Sequence, residues 1–221
     1  MFCHVSADQE KRVAAQAAAQ YVESGMTIGL GTGSTVAYLL PAIAARGLDV
    51  RCVSTSPRTE VLARELGLRV ETFEGRHAVA HLDLAIDGAD QVDPAGWIVK
   101  GGGAAHTREK RVAASADRFL VIVSSDKMVQ QITAPIPLEL LDFGLAATLL
   151  DLGEVTLREV PPSPDGGVIA DYRGAVTDVR QLAQRLDGLS GVIDHGLFAP
   201  ALTWCVLVGR GADVERIDVN P

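Results

Sequence analysis

The residues best placed to do chemistry lie between positions 100 and 110. Lys100-Gly101-Gly102-Gly103 puts a cation ahead of three glycines, and Glu109 follows six residues later. Glycines let a backbone approach a ligand closely and turn successive N–H groups toward it. A helix is predicted over Ala104 to Ser115, with Glu109 in its first turns. A cation, a nest of donors and a carboxylate are what proton abstraction beside a carbonyl requires: a base for the carbon acid and donors for the developing enediolate oxygen. The competing reading makes Glu109, Lys110 and Arg111 a solvated helix face.

A second acidic group, Asp87-Gly88-Ala89-Asp90, closes a predicted strand over Leu82 to Asp87. Open α/β sheets bind ligands outside the carboxyl ends of their strands. A metal site is the first alternative there. It would need further ligands, and His77, His81 and Asp83 are a weak match by spacing. Upstream, Gly29-Leu30-Gly31-Thr32-Gly33-Ser34-Thr35 joins a strand to a helix. It lacks the last glycine of a dinucleotide fingerprint and the lysine of a P-loop. Its backbone N–H groups at a helix start, with the Thr32, Ser34 and Thr35 hydroxyls, suit one phosphate. Alternatively, it is a plain strand–helix turn capped by Ser34.

These segments must be held by regular elements. Ser6 and Gln9 start a helix that runs to Tyr21. Strands are predicted over Thr27 to Gly31, Val50 to Ser54, Leu82 to Asp87 and Phe119 to Val123, separated by helices over Thr35 to Ala45, Pro57 to Leu66 and Ala104 to Ser115. Alternation of this kind implies β-α-β units and an α/β, doubly wound (Rossmann-like), mostly parallel sheet. Beyond Ile132 the order changes. Strand Ile136–Leu140, a helix near Phe143 to Leu152, strands Val155–Glu159 and Val168–Tyr172, a helix near Thr177 to Leu186 and strand Gly191–His195 make a smaller ferredoxin-like α+β domain. The expected division is residues 1–131 plus 201–221 for the catalytic domain, with the last twenty residues returning as edge strands. Residues 132–200 form the lid or oligomerisation domain.

The chain has 221 residues, 48% of them hydrophobic and 22% charged, as expected of a globular protein. Lys and Arg number 20 against 28 Asp and Glu, a net charge of −8. That balance disfavours nucleic acid and anionic membrane surfaces as partners, although a local cluster can still hold a small anion. There is no apolar run of membrane-spanning length and no secretory start. Cys3, Cys52 and Cys205 are odd in number and far apart, which speaks against disulfides and a zinc knuckle and for a reducing cytoplasm.

Taken together, G-T-G-S-T (Gly31 to Thr35), S-T-S with T-E (Ser54 to Ser56, Thr59, Glu60), D-G-A-D (Asp87 to Asp90) and K-G-G-G-A-A-x-T-R-E-K (Lys100 to Lys110) resemble the A-type ribose-5-phosphate isomerase family. The match is close over residues 8 to 130 and weaker beyond, where Pro135 to Glu139 and Gly196 to Phe198 look like family landmarks. The resemblance implies interconversion of ribose 5-phosphate and ribulose 5-phosphate without metal or organic cofactor, in the pentose phosphate pathway. It implies Glu109 as the base shuttling a proton between C2 and C1. Asp87 and Lys100 would assist ring opening and polarise sugar oxygens, Asp90 would hold a hydroxyl, and the Gly101, Gly102 and Gly103 amides would stabilise the oxyanion. Thr32, Gly33, Ser34, Thr35, Gly88, Ala89 and Lys127 would bind substrate, with Lys11 a further contributor, in a homodimer or homotetramer. Gln91, His106, Asp165-Gly166-Gly167 and Ala199-Pro200-Ala201 depart from the family pattern. The other readings are a non-catalytic sugar-phosphate sensor and a related isomerase for another sugar phosphate.

Overall fold

A computed structural model of the chain describes residues 6–220. The chain divides into two compact units. One takes the chain through Ala89, then Arg108–Met128 and the stretch from Ala201 on; the other takes Asp90–Thr107 and Val129–Pro200.

In chain order, α1 (Ala7–Ala19) starts at Ser6, whose side chain accepts the Gln9 N–H. It is followed by β1 (Thr27–Leu30), α2 (Ser34–Ala44) and β2 (Arg51–Ser54). Next is α3 (Pro57–Glu65), where Pro57 stands in the first turn and Ser56 accepts the Thr59 N–H. Then come β3 (Arg69–Val70), β4 (Leu84–Asp87), β5 (Gln91–Val92) and β6 (Ile98–Val99). The division between units falls inside α4 (His106–Ala113). After β7 (Phe119–Ser124), a 3-10 turn covers Ser125–Lys127. The remaining elements are β8 (Ile136–Leu140), α5 (Leu145–Leu152), β9 (Val155–Leu157), β10 (Val168–Tyr172), α6 (Val179–Asp187), β11 (Val192–His195), β12 (Leu197–Phe198), β13 (Cys205–Arg210) and β14 (Asp213–Asp218).

The first unit is a seven-stranded sheet in the order β14-β13-β7-β4-β1-β2-β3. Every pairing is parallel except the terminal β13–β14 hairpin. Its central strands are buried along their whole length, which is why Phe119 to Val123 reads as an unbroken apolar run. Ala14, Ala15, Ala18 and Ala19 of α1 join Leu39, Leu40 and Ile43 of α2 in its core. Gly29 is bare because α4 packs there: a Cβ would stand 2.4 Å from Val112 Cγ1. The second unit holds an antiparallel four-stranded sheet in the order β11-β8-β10-β9, the ferredoxin-like arrangement. It also holds a three-stranded sheet in the order β12-β6-β5.

Three expectations differ. Residues 90–107 cluster with the second unit, because β5 and β6 pair with each other and β6 with β12, not with the parallel sheet. Ser34 is the first residue of α2, not its cap; Gly33 caps it at φ +117°, a region that favours glycine. Of the last strands only β14 is an edge, since β13 lies between it and β7. Cys52 and Cys205 are buried free thiols, and burial pushes them up to about 12 and about 11 respectively. Cys3 lies outside the described residues.

Candidate functional site

In the first unit the predicted residues Thr32 to Thr35 and Asp87 to Ala89 lie at the carboxyl ends of β1 and β4. Asp87 is 3% exposed and lies directly over Gly31, where a Cβ would fall 1.8 Å from its Cγ. Its Oδ1 accepts the Gly88 N–H at 2.7 Å and the Thr32 N–H at 3.1 Å. Glycine at 31 therefore makes room for a carboxylate from another strand, a second role beside turning the chain. The turn is braced from β2 and α3. The Thr32 and Thr55 hydroxyls are 2.8 Å apart, and the Thr59 hydroxyl donates to the Gly31 carbonyl at 2.9 Å. Gly33 and Ser34 are exposed and Thr35 half-buried, so the start of α2 is open to a ligand.

Glu109 is buried, 5% exposed, in the first turn of α4. Its neighbour Arg108 reaches Glu74 at 2.9 Å. Lys127 sits in the 3-10 turn with Nζ 3.4 Å from Asp126, and Lys11 lies 3.4 Å from Asp8. Glu10 anchors this turn: it accepts the Ser125 N–H at 2.8 Å, the Ser125 hydroxyl at 2.7 Å and the Gly211 N–H at 3.0 Å. Desolvation pushes the Glu10 carboxyl up, but these bonds together outweigh it and hold the group below the usual range.

The metal alternative does not assemble. Asp83 accepts the Thr27 N–H at 2.7 Å, and His81 Nε2 lies 3.1 Å from Asp117. Among the described residues no three His, Cys, Asp or Glu side chains are grouped to hold an ion.

In the second unit, Lys100 is 3% exposed, its N–H donates to the Gly196 carbonyl at 2.9 Å, and its Nζ lies 5.8 Å from the centre of the Phe198 ring. A cation above a ring face is attracted by the ring's quadrupole. The glycine loop follows. Gly101 has φ +103°, and a Cβ there would meet His106 Nδ1 at 2.7 Å and Pro137 Cβ at 2.8 Å. His106 is fully buried beneath this loop. The Ala104 N–H donates to the Gly101 carbonyl at 3.0 Å, closing a turn, and the Gly102 N–H donates to Asp90 Oδ2 at 2.8 Å. Gly102 and Gly103 are exposed. Gln91 clamps Thr133: its Nε2 donates to the Thr133 carbonyl at 2.8 Å and its Oε1 accepts the Thr133 N–H at 2.9 Å. A carboxylate at 91 would lack that donor.

Sequence reasoning missed the bracing by Thr55 and Thr59, although both lie in quoted motifs. It also missed Arg158, which carries no local motif.

A family model described as ribose 5-phosphate isomerase A (phosphoriboisomerase A) matches residues 51–212. Over 229 aligned residues the chain is 41% identical to the ribose-5-phosphate isomerase A of Caulobacter vibrioides, covering 96% of this chain and 99% of that one. Among solved structures, ribose 5 phosphate isomerase A from Neisseria gonorrhoeae matches with a TM-score of 0.90 at 29% identity, covering 99% of this chain and 100% of that one. A D-ribose-5-phosphate isomerase in complex with phospho-erythronic acid matches with a TM-score of 0.89 at 31% identity, covering 96% and 99%.

Proposed function

From the premise that the chain belongs to the ribose 5-phosphate isomerase A family and is an isomerase, we propose that it interconverts ribose 5-phosphate and ribulose 5-phosphate through an enediolate, with Glu109 as the base. The observation that carries this reading is Glu109 itself: a carboxylate only 5% exposed, on the helix that leaves the glycine loop.

In this reading Asp87 and Lys100 promote opening of the furanose ring and polarise the sugar oxygens. Glu109 removes the proton from C2 of the open aldose. The C1 carbonyl becomes the enediolate oxygen, held by the Gly101, Gly102 and Gly103 amides. The proton returns from Glu109 to C1 while a proton moves from the C2 hydroxyl to the C1 oxygen, and the ketose results. Asp90 holds a sugar hydroxyl. Thr32, Gly33, Ser34, Thr35, Gly88, Ala89 and Lys127 bind the substrate, its phosphate on amides, hydroxyls and lysine. Carboxylates at the sugar end and donors at the phosphate end let a chain of net charge −8 take an anion. Phospho-erythronic acid, bound in a relative, fits the same chemistry, because it joins a phosphate to a planar oxyanion on a short polyol chain, as the enediolate of a sugar phosphate does.

Two further points belong to the proposal. The oligomer is a homodimer or homotetramer in this reading, with Phe143 and Leu150, 95% and 83% exposed on the second unit, as the residues it would cover. Two buried free thiols support a reducing cytoplasmic setting.

The test is turnover of ribose 5-phosphate in EDTA, with Glu109→Gln as control. We expect metal-free turnover, and a variant slowed by at least about 100-fold that still binds the sugar phosphate. A Glu109→Gln protein of near-normal rate would refute the assigned base. Binding of substrate without turnover by the unaltered protein would favour the sensor reading.

A further inference from the structure

We infer that Arg158, aimed by Asp171, is the positioning residue of the glycine loop. The inference rests on the reading of the loop amides as donors to the enediolate.

Arg158 follows β9 directly, and its N–H donates to the Ile169 carbonyl of β10 at 2.9 Å. Asp171, further along β10, takes its guanidinium in two bonds: Nη2 to Oδ1 at 2.7 Å and Nε to Oδ2 at 3.0 Å. Two parallel bonds fix the plane of the guanidinium as well as its position. The pair is largely buried, with side chains 18% and 11% exposed. Arg173 stands 3.7 Å from the same carboxylate as a looser, half-exposed neighbour.

With Nε and Nη2 committed, Nη1 points at the loop. It donates to the Gly101 carbonyl at 2.9 Å and the Gly102 carbonyl at 3.2 Å. In a trans peptide the carbonyl and the N–H point in opposite directions. Holding the Gly101 oxygen therefore turns the Gly102 N–H away from the guanidinium, where it meets Asp90 at 2.8 Å. Holding the Gly102 oxygen turns the Gly103 N–H away likewise, and no partner for that N–H occurs among the described residues. A cation on a peptide oxygen also draws electron density from the nitrogen of the same peptide, and such chains of bonds reinforce one another. Arg158 thus orients and strengthens both N–H groups, the Gly103 one open to an enediolate and the Gly102 one held on Asp90. Three glycines in a row have no side chains to set their peptide planes; within the loop the Ala104 N–H holds only the Gly101 oxygen, and Arg158 adds the hold on both carbonyls from outside.

The experiment compares unaltered protein with Arg158→Met, Arg158→Lys and Asp171→Asn. It measures kcat and KM for ribose 5-phosphate, the Kd of phospho-erythronic acid and the Kd of inorganic phosphate. Deleting a donor from an oxyanion site costs about 100- to 1,000-fold in kcat, so misaligned donors should cost about 10- to 100-fold. We expect Arg158→Met to lose that much in kcat with KM within about threefold, and to lose phospho-erythronic acid affinity by a similar factor. Inorganic phosphate affinity should hold, which general unfolding would not allow. Arg158→Lys should recover only part, because an ammonium cannot engage Asp171 and two carbonyls in one plane. Should Arg158→Met fail to fold, Asp171→Asn retains the guanidinium while loosening its aim and should show the same pattern more weakly. A folded Arg158→Met or Asp171→Asn with kcat and analogue affinity within twofold of the unaltered protein overturns the inference. Unaltered protein that turns over ribose 5-phosphate but binds phospho-erythronic acid no better than phosphate overturns the nest reading instead. Failure to turn over ribose 5-phosphate at all overturns the proposed activity.

Discussion

Gly31→Ala isolates the seating of Asp87. The added methyl would stand 1.8 Å from Asp87 Cγ and 1.9 and 2.4 Å from its oxygens, distances at which the carboxylate must leave. Leaving costs it the Gly88 and Thr32 N–H bonds. Bonds to a charged group are worth about 1.5–3 kcal/mol each, so the pair amounts to about 3–6 kcal/mol. For a chain of this size that is a fall of about 6–24 °C in Tm. The obstacle is one side chain, so Asp87→Ala should remove it. In that background Gly31→Ala should cost under about 1 kcal/mol, since residue 31 does not have a positive φ. Differential scanning calorimetry on the four proteins of this cycle reads the coupling directly. Equal penalties for Gly31→Ala in both backgrounds would refute the account, because the glycine would then be needed for something other than Asp87. Gly33→Ala is a useful contrast: nothing lies within 4 Å of the new methyl, and only the backbone at φ +117° resists it. Its cost should stay at about 1–3 kcal/mol and be unchanged by Asp87→Ala.

Four smaller expectations follow from other contacts. Thr59→Val removes the hydroxyl on the Gly31 carbonyl and should lower stability by about 1 kcal/mol, read by urea unfolding. Gln91→Glu leaves the Thr133 carbonyl without its donor and puts a carboxylate beside it; a loss of about 1–3 kcal/mol is expected, and unchanged stability would show the clamp idle. The Glu10 carboxyl is held below its usual range in the folded chain, so its stabilisation is complete above the ordinary carboxylate range and fades as pH falls through the lowered folded value. Accordingly, the stability gap between unaltered protein and Glu10→Gln should close on acidification, and a gap constant down to pH 3 would contradict the three bonds. Cys52 and Cys205, pushed up to about 12 and about 11, should resist alkylation at pH 8 until urea is added, as peptide mapping by mass spectrometry would record.

The parallel sheet was legible because its strands are short apolar runs such as Phe119 to Val123, divided by helices with ordinary caps at Ser6 and Ser56. The ferredoxin-like order was legible for similar reasons: Ile136–Leu140 and Val168–Tyr172 fall where the pattern puts them. The place of residues 90–107 was not. β5 and β6 are two residues each, too short to show any period, and their allegiance is decided by pairing with Leu197 and Phe198 a hundred residues on. Among the candidate site residues, Asp87, Lys100 and Glu109 stood out because polar groups interrupt glycine turns and strand ends. Their burial was not readable, and neither was the fit of Asp87 over Gly31, 56 positions away. Arg158 is the extreme case. Its partners are 13 and 57 residues distant, and nothing adjacent to it in sequence marks it as more than a surface arginine.

The order in which the strands are joined bears on how the chain is made. Every residue of the second unit lies between Asp90 and Pro200, so a ribosome finishes that unit's parts before the first unit's. The first unit must wait for β13, which fills the place between β7 and β14 and lies so close to α1 that a Cβ on Gly209 would come within 2.1 Å of the Glu10 carbonyl. Until those last residues emerge from the exit tunnel, β7 carries an unpaired edge and α1 lacks part of its floor. The unit that opens the chain is therefore the later of the two to close. During synthesis its bare β7 edge is an apolar, unpaired strand of the kind that invites wrong pairing until β13 arrives.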